Sequence, residues 1–417
     1  MTANKGFRFK AVCFAIEGAS SFAVSLFFYY LYFLMRDQFG FGNKANLILA
    51  AALGLVCAVT AWQAGKFAQR CGYFTALKLG FIIMIVALAV GSQLHSATGL
   101  VIASAVMTVG MCFLWPTLEA LVSEGETVAG LQRTIGIYNI VWSSTNVLGL
   151  FCGGTLVEKF GYKSIFYIPI VLCIGQLALT FWLAKHADSP REIGGIISRG
   201  KAARKTANEK SALPGQRLQA GGPPPPEPNR PSPGKAKAFL RMAWLANPFA
   251  YIAINTFTAM LPGVAAKFQL SPMLFGFTCS LWGFVRLGVF VALWQWTGWH
   301  YRFRWLVTAF LTLIISFAAI LMSPNLAVLL LAQIIFGGAT GLIYYSSLFY
   351  SMDVGDTKSE HGGIHEAAIG VGNLIGPAVG AAALQFLPQY TNSSAMAVSV
   401  LLVFGLGGLF AIQRTAK

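Results

Sequence analysis

Twelve apolar runs, each long enough to cross a membrane, constrain this chain more than any other feature of its sequence. A helix of about 20 apolar residues spans the ~30 Å hydrocarbon core of a bilayer and satisfies its own backbone hydrogen bonds there. Only 11% of the 417 residues are charged, against about 25% in soluble domains. We therefore predict an all-α integral membrane protein with twelve transmembrane helices. The runs lie at 11–35, 45–69, 73–94, 98–122, 135–157, 164–184, 239–265, 272–296, 303–322, 325–351, 362–387 and 393–412.

A single long polar stretch separates the first six runs from the last six. It contains Gly221-Gly222-Pro223-Pro224-Pro225-Pro226 and few large apolar residues, so it cannot bury enough surface to offset its chain entropy. We predict an N-terminal six-helix bundle at 1–185, a disordered basic cytoplasmic linker at 186–238 and a C-terminal six-helix bundle at 239–417. The linker is interpreted as a tether close to anionic lipid, with partner binding by the proline run as the alternative.

The net charge of +16 raises the question of nucleic-acid binding, which the placement of the charges answers. Lys and Arg concentrate in alternate loops, in both tails and above all in the linker, whereas the opposite loops hold few of them. The positive-inside rule then places both termini and the linker in the cytoplasm. The basicity is a topology signal, and no nucleic-acid partner is expected. Short loops are typical of a bacterial inner (plasma) membrane protein, which we expect to be a lipid-surrounded monomer.

The two halves share an internal repeat. Trp62-Gln63 with Arg70 recurs 232 positions later as Trp294-Gln295 with Arg302. A second repeated pattern relates the fifth run to the eleventh at an offset of 227 residues. Duplicated six-helix halves form a transporter architecture, with the substrate site near mid-membrane where the halves meet. We therefore predict two pseudo-symmetric bundles. In the fifth run this second pattern consists of Gly136-Ile137-Tyr138-Asn139, Asn146-Val147-Leu148-Gly149 and Gly153. The corresponding residues of the eleventh run are Gly363-Ile364-His365-Glu366, Asn373-Leu374-Ile375-Gly376 and Gly380.

The loop after the second run carries a family signature. Where the major facilitator superfamily has G-x-L-A-D-R-x-G, this chain has Gly65-Lys66-Phe67-Ala68-Gln69-Arg70-Cys71-Gly72, and it resembles that family over nearly its whole length. The resemblance implies transport by alternating access around a cavity lined by helices one, four, seven and ten. It also implies a conformational-switch loop formed by Gly65, Gln69, Arg70 and Gly72, in which Gln69 replaces the family's aspartate.

A second family motif, G-x8-G-x3-G-P-x2-G-G, is typical of the fifth helix of antiporters but stands here in the eleventh run. Because it is displaced, it does not indicate antiport. Small residues let helices approach closely in lipid, and a proline can bend a helix. We therefore predict a helix-packing role, on surfaces along which the halves slide, for Gly149, Gly153, Gly372, Gly376, Pro377 and Gly380.

Charged residues within apolar spans are costly and mark functional candidates. Arg286 lies deep in the eighth run, and a guanidinium offers a planar fork of donors suited to a carboxylate or phosphate. One interpretation is a counter-charge for an anionic or zwitterionic solute. The other is an internal salt bridge with Glu17 or Glu366 that holds or gates the halves. The sequence leaves both open.

Glu17, Glu366 and His365 are candidates for proton coupling. An apolar site favours the neutral form of a carboxyl group, and histidine titrates near neutral pH. For His365 and Glu366 the preferred alternative is a helix start, where an acidic side chain interacts favourably with the helix dipole.

Uncharged polar and aromatic residues are candidates for lining the cavity, with Asn146, Asn255 and Tyr345 preferred. Near the end of the first run, Tyr29, Tyr30 and Tyr32 are interpreted instead as an interfacial aromatic belt. Further lining candidates are Trp142, Ser143 and Tyr344.

No catalytic or nucleotide-binding motif is present in the sequence: G-x-S-x-G, H-E-x-x-H and the phosphate-binding G-x-x-x-x-G-K-[ST] are all missing. The seven cysteines lack metal-ligand spacing, so we expect neither an enzyme nor a cofactor or metal. The leading prediction is a secondary active transporter, a symporter or an antiporter, that moves a small solute. Proton coupling is one option for its energy source. The alternative is a non-transporting receptor or scaffold on the same fold.

Overall fold

The structure is a computed structural model that describes residues 3–123, 128–186, 232–354 and 358–415. Within these residues, twelve helical spans are long and apolar enough to cross a membrane, which confirms the predicted fold class. The fourth and the eighth span are each formed by two consecutive helices, labelled a and b. The helices are α1 (Ala3–Phe39), α2 (Asn43–Cys71), α3 (Tyr73–Gly91), α4a (Ala97–Cys112), α4b (Trp115–Ser123), α5 (Val128–Phe160), α6 (Ser164–His186), α7 (Pro233–Lys267), α8a (Pro272–Cys279), α8b (Leu281–Gln295), α9 (Phe303–Met322), α10 (Leu326–Val354), α11 (Lys358–Phe386) and α12 (Ser393–Thr415).

The seventh helix begins earlier than its apolar run predicts. Pro233 occupies the first turn of α7, and the Ser232 side chain accepts a hydrogen bond from the Lys235 backbone N–H at 3.4 Å. A serine cap followed by proline is a strong helix start, so residues 233–238, predicted as linker, are helical. Residues 187–231 of the predicted linker lie outside the described residues.

The helices pack as two halves that contact each other along two seams. In the first half α1 packs on α5 and α6, and α3 packs on α4a and α6; in the second half α7 packs on α10, α11 and α12. Between the halves, α2 packs on α11 and α5 packs on α8a and α8b. The two seams are equivalent, because a six-helix repeat relates α2 to α8 and α5 to α11.

Polar contacts join the halves at one membrane face. The face that holds the start of α1 and the end of α12 is called the terminal face here, and the opposite one the distal face. At the distal face, Lys44 Nζ donates a hydrogen bond to Gln385 Oε1 at 2.8 Å. The Met273 backbone N–H, in the first turn of α8a, donates to Glu158 Oε2 of α5 at 3.1 Å. A carboxylate at a helix N-terminus is favourable, so Glu158 links the two halves.

Glycines allow the closest helix approaches, both within and between the halves. A Cβ on Gly149 would lie 2.9 Å from the Phe22 carbonyl oxygen of α1, and a Cβ on Gly376 would lie 2.5 Å from the Ile252 carbonyl oxygen of α7. Likewise, a Cβ on Gly153 would meet Tyr30 of α1, and one on Gly372 would meet Pro248 of α7. These four glycines therefore pack helices within a half, and their predicted place on a surface between halves is wrong.

The remaining two of the predicted packing residues lie close by on α11. Pro377 is inside the helix, and a Cβ on Gly380 would lie 2.6 Å from Ser394 of α12 and 3.3 Å from Leu47 of α2. Between the halves, the close approach is made by other glycines. A Cβ on Gly54 of α2 would lie 2.5 Å from the Asn373 carbonyl carbon, and a Cβ on Gly370 of α11 would lie 2.6 Å from the Ala58 Cα.

Replacement of Gly54 by alanine is expected to destabilise the protein, because the new Cβ would overlap the α11 backbone and force the α2–α11 seam apart. Overpacking of this kind costs ~1–3 kcal/mol. Gly175→Ala in α6 is the matched control, since nothing lies within 4 Å of its Cβ position. Thermal unfolding of the two purified variants measures the difference. Equal melting temperatures would contradict the close approach at Gly54.

Candidate substrate-binding site

A cavity of about 210 Å³ lies between the two halves. Its lining residues recur at helical spacing, so each helix turns one stripe toward it. The four helices expected from the resemblance, α1, α4, α7 and α10, all contribute, together with α2, α5, α8b and α11. The lining residues include Glu17, Ser21, Ser25, Phe28 and Tyr32 on α1, Ala50, Leu53, Gly54 and Cys57 on α2, Thr108, Met111, Trp115 and Glu119 on the fourth span, Tyr138, Trp142 and Asn146 on α5, and Tyr251, Ile254, Asn255 and Thr258 on α7.

Arg286 of α8b lies in the cavity wall and is only 4% exposed. Its Cζ lies 4.8 Å from the Trp142 ring centroid and 4.7 Å from that of Trp282, within the range of cation–π attraction. Its Nη2 donates to Asn146 Oδ1 at 3.5 Å, and its Nε has no hydrogen-bond partner. Among the described side chains, no carboxylate is within ion-pairing distance of this guanidinium. The arginine is thus held by rings and one long hydrogen bond.

Asn146 of α5 and Asn373 of α11 hold equivalent positions in the two halves. Asn146 Oδ1 also accepts a hydrogen bond from Tyr29 Oη of α1 at 3.4 Å. In the second half, Asn255 Nδ2 of α7 donates to Asn373 Oδ1 of α11. Asn373 lies 227 positions after Asn146, and Asn255 lies 226 positions after Tyr29. All four side chains line the cavity, so the repeat builds a polar pair on each side of it.

Glu17 is fully buried near the other end of the cavity wall. Its Oε1 accepts from Ser21 Oγ at 2.9 Å and its Oε2 accepts from Tyr138 Oη at 2.9 Å. The Trp115 side chain also hydrogen-bonds to it. The predicted alternative of a Glu17–Arg286 salt bridge is therefore wrong in this structure, since Glu17 is satisfied by neutral donors.

The remaining aromatic candidates divide by which side of their helix they occupy. Tyr344 lines the cavity, whereas Tyr345 packs against Trp299 at a centroid distance of 5.9 Å outside it. Tyr29, Tyr30 and Tyr32 are 8%, 0% and 3% exposed, so their preferred interpretation as an interfacial belt is wrong. Tyr30 Oη donates to the Leu150 carbonyl at 2.7 Å, while Tyr29 and Tyr32 line the cavity.

The other predicted site residues lie on α11 and at the end of α2. His365 and Glu366 are in the helical stretch of α11, but their side chains lie outside the described residues. Gly65, Gln69 and Arg70 form the last turns of α2. Gly72 has a φ of +94°, a conformation that favours glycine, and its N–H donates to the Ala68 carbonyl at 3.0 Å. The residues of the predicted switch loop therefore form the last turns of α2 and the tight turn that joins α2 to α3.

Sequence reasoning named Arg286, Asn146 and Asn255 but did not select several of their neighbours. Trp282 lies one turn before Arg286, and Asn373 stands in the repeat. Both could have been found by following i/i+4 spacing from a charged residue and by carrying Asn146 across the 227-residue offset. In the part of the chain that the structure describes, no group of three or more His, Cys, Asp or Glu residues could hold a metal ion.

A two-halved bundle of twelve membrane-crossing helices around a polar cavity is the architecture of a membrane transporter. The chain belongs to the Major Facilitator Superfamily, whose family model matches residues 13–359. It is a multi-pass membrane transport protein and not an enzyme.

Similarity to individual proteins is more distant. An uncharacterized MFS-type transporter of Bacillus subtilis (strain 168), YhjO, is 27% identical over 139 residues, which are 33% of this chain and 35% of that protein. The match thus spans about a third of that relative. The human organic anion transporter MFSD10 (TETRAN) has a TM-score of 0.67 at 15% identity, over 97% of this chain and 99% of that one.

A structure described under substrate recognition in proton dependent oligopeptide transporters has a TM-score of 0.68 at 15% identity, over 99% of this chain and 100% of that one. Identity at this level establishes the shared fold alone.

Replacement of Tyr138 by phenylalanine is expected to destabilise the protein, because it leaves the buried Glu17 carboxyl group with one hydrogen bond fewer. Loss of a partner of a buried polar group costs ~1–3 kcal/mol. Tyr167→Phe is the control, since that side chain is 45% exposed. Thermal unfolding in detergent compares the two variants. A Tyr138→Phe protein as stable as the control would contradict the assigned hydrogen bond.

Proposed function

We propose that this protein is a secondary active transporter that moves a small solute bearing an anionic group, which Arg286 binds. The observation that carries the proposal is the incomplete set of partners around that buried guanidinium. It lies in a cavity shared by both halves, its nearest oxygen acceptor is an amide at 3.5 Å, and its Nε has no partner. A solute carboxylate or phosphate would complete the set.

The energetics of a buried charge support this assignment. A charged group removed from water costs several kcal/mol unless it is paired and hydrogen-bonded. Ring contacts offset part of this cost, about 2 kcal/mol or more each in desolvated sites, but they satisfy none of the N–H donors of the guanidinium in its own plane. A hydrogen bond of 3.5 Å to a neutral amide is weak. Stability alone does not explain an arginine at position 286. Bidentate binding of an anion is the function suited to the geometry of its guanidinium.

Transport by alternating access would use the two seams. At the distal face these seams include the hydrogen bonds of Lys44 with Gln385 and of Met273 with Glu158. Opening toward the distal face would require both contacts to break, while opening toward the terminal face would leave them intact. We further propose that the terminal face is cytoplasmic in a plasma membrane, since the basic residues concentrate there.

The organic anion transporter among the structural neighbours is consistent with an anionic solute but carries little weight, because 15% identity supports the fold alone. The proposal therefore depends on Arg286 and not on that neighbour.

The Arg286→Ala variant is expected to lose anion binding. Detergent-purified protein is heated in the presence of a panel of small carboxylates, phosphates and amines. A ligand at about 100 times its Kd stabilises the folded state by ~2.7 kcal/mol, which raises the melting temperature visibly. We expect the hits on the wild type to be anions and to disappear in Arg286→Ala. Arg304→Ala is the control, since Arg304 is an exposed arginine at the start of α9.

Hits that are only neutral or cationic, or anionic hits that persist in Arg286→Ala, would contradict the proposal. Arg286→Lys separates charge from geometry. It keeps the charge but removes the planar fork, so it is expected to weaken anion binding without abolishing it.

Glu17 is the candidate for coupling transport to protons, because it is a fully buried carboxyl group beside the cavity. In proteoliposomes, we expect an imposed proton gradient to drive accumulation of the anionic hit by the wild type. Glu17→Gln should still exchange solute across the membrane but should no longer accumulate it. Asp37→Asn is the control, because Asp37 is an exposed carboxyl group outside the cavity and its partner Tyr162 belongs to the same half. Gradient-driven accumulation that is unchanged in Glu17→Gln would exclude Glu17 as the coupling group.

A further inference from the structure

The wall of the cavity is aromatic beside Arg286. The Trp142 ring centroid, 4.8 Å from the Arg286 Cζ, lies 5.2 Å from that of Tyr344, which in turn lies 6.3 Å from that of Tyr251. These three rings come from α5, α10 and α7, and all of them line the cavity. They are called the ring platform here. The platform begins at the guanidinium and crosses from the first half to the second.

The ring platform belongs to a small apolar cluster beside the main core. Phe290, Tyr344 and Ile369 form this cluster, and Trp142 and Tyr251 pack against it. Ile369 of α11 also lines the cavity, so the apolar surface next to the arginine comes from several helices of both halves. Apolar surface in contact with water is unfavourable, and its transfer into apolar surroundings is favourable. This part of the wall therefore favours a solute with an apolar body.

The hydroxyl groups of the wall are already used by the protein. A serine or threonine hydroxyl has a single proton to donate, and each one among the described lining residues donates it within its own helix. Ser21 donates to Glu17 Oε1 at 2.9 Å, Ser25 to the Phe22 carbonyl at 3.0 Å, Thr108 to the Ser104 carbonyl at 2.9 Å and Thr258 to the Ile254 carbonyl at 2.8 Å. These hydroxyls offer no donor to a solute, so the wall is poorly suited to a sugar-like anion with many hydroxyl groups.

The positive charge of the described wall is confined to one residue. Arg286 is the only Lys or Arg among the described lining residues, and the acidic residues there, Glu17 and Glu119, add no positive charge. A second anionic group on the solute would lose its hydration without gaining a cation, which is costly away from water. The wall is therefore matched to a single anionic group.

The volume of the cavity limits the size of the apolar body. An apolar cavity of about 150 Å³ is large enough to bind benzene, and this cavity measures about 210 Å³. The difference accommodates a short link and a carboxylate. One ring with its anionic group therefore fits the space.

We infer that the solute is an aromatic monoanion, whose anionic group binds Arg286 and whose single ring packs on the ring platform. The inference rests on the proposed function, since it uses Arg286 as the anion site. It adds the body of the solute and the number of its charges. Aromatic rings pack favourably edge-to-face or offset against Trp and Tyr, and the platform presents such rings directly beside the guanidinium. Dicarboxylates and hydroxylated acids lack this match.

The test uses two matched pairs of probes. Phenylacetate and acetate differ by the ring, whereas 4-nitrophenylacetate and 4-carboxyphenylacetate have nearly the same shape and differ by one negative charge. Binding to the purified full chain is measured by calorimetry, with weak probes measured by competition against phenylacetate. We expect phenylacetate to bind about 10- to 150-fold more tightly than acetate, the effect of burying a side chain the size of Phe. 4-Carboxyphenylacetate should bind about tenfold or more weakly than 4-nitrophenylacetate, because its second charge is buried without a cation.

Adjacent tyrosines on α10 provide a matched pair of variants. Tyr344→Leu removes one ring from the platform and should lower the advantage of phenylacetate over acetate about 2- to 12-fold, the contribution of an aromatic pair. Tyr344→Phe keeps the ring and should keep the advantage. Tyr345→Leu is the control, since Tyr345 packs against Trp299 outside the cavity. Tyr251→Leu tests the platform at a second position, should Tyr344→Leu fail to fold.

Equal binding of phenylacetate and acetate to the wild type would overturn the inference. So would 4-carboxyphenylacetate that binds as tightly as 4-nitrophenylacetate, or an advantage of phenylacetate that is unchanged in both Tyr344→Leu and Tyr251→Leu. If acetate or the dicarboxylate binds the wild type and is lost in Arg286→Ala, the proposed function would stand even so. Phenylacetate binding that is unchanged in Arg286→Ala would overturn the proposed function as well, and failure of every probe to bind the wild type would contradict both.

Discussion

The bilayer core supplies no hydrogen-bonding partners, and the architecture follows from that constraint. Each span is helical because a helix satisfies its own backbone. With the backbone satisfied, lipid gives helices little reason to associate, and close packing must do so instead. Glycines at the crossings of α1 with α5 and of α7 with α11 bring each half together. Side chains that need polar partners, such as Glu17 and Arg286, then turn inward, and the cavity between the halves collects them.

The internal repeat explains where the cavity lies, and its departures from symmetry explain the charge of the cavity. Tyr29 with Asn146 and Asn255 with Asn373 are equivalent pairs, one from each half, that line the cavity. The offset of 232 that relates Trp62 to Trp294 also relates Gly54 to Arg286. On one seam, Gly54 lets α2 lie against the Asn373 backbone. On the equivalent seam, Arg286 reaches Asn146. One seam is thus packed by a glycine where the other presents a charge.

Much of the fold could be predicted from hydropathy alone, because spanning a bilayer imposes a length and a composition on each helix. The start of α7 was missed since a cap at Ser232 and Pro233 is a local signal outside the apolar run. The direction in which a side chain points was harder to predict from the sequence. Tyr344 and Tyr345 differ by one position, about 100° around a helix, and α10 is apolar on both sides. Tyr29, Tyr30 and Tyr32 suit a membrane interface by composition, but all three are buried, and Tyr29 and Tyr30 hydrogen-bond to α5.

The way Arg286 is held indicates why an arginine and not a lysine stands at this position. A guanidinium is weakly hydrated and can rest over aromatic rings while its donors point outward in its own plane. Trp282, one turn earlier on α8b, and Trp142, from the opposite half, supply those rings. The charge is therefore supported without a carboxylate among the described side chains, which would otherwise compete with a solute for the same donors. Since one ring belongs to each half, movement of α5 against α8b would change the support of Arg286. In the proposed transporter, that shared contact would couple solute binding at Arg286 to the relative position of the halves.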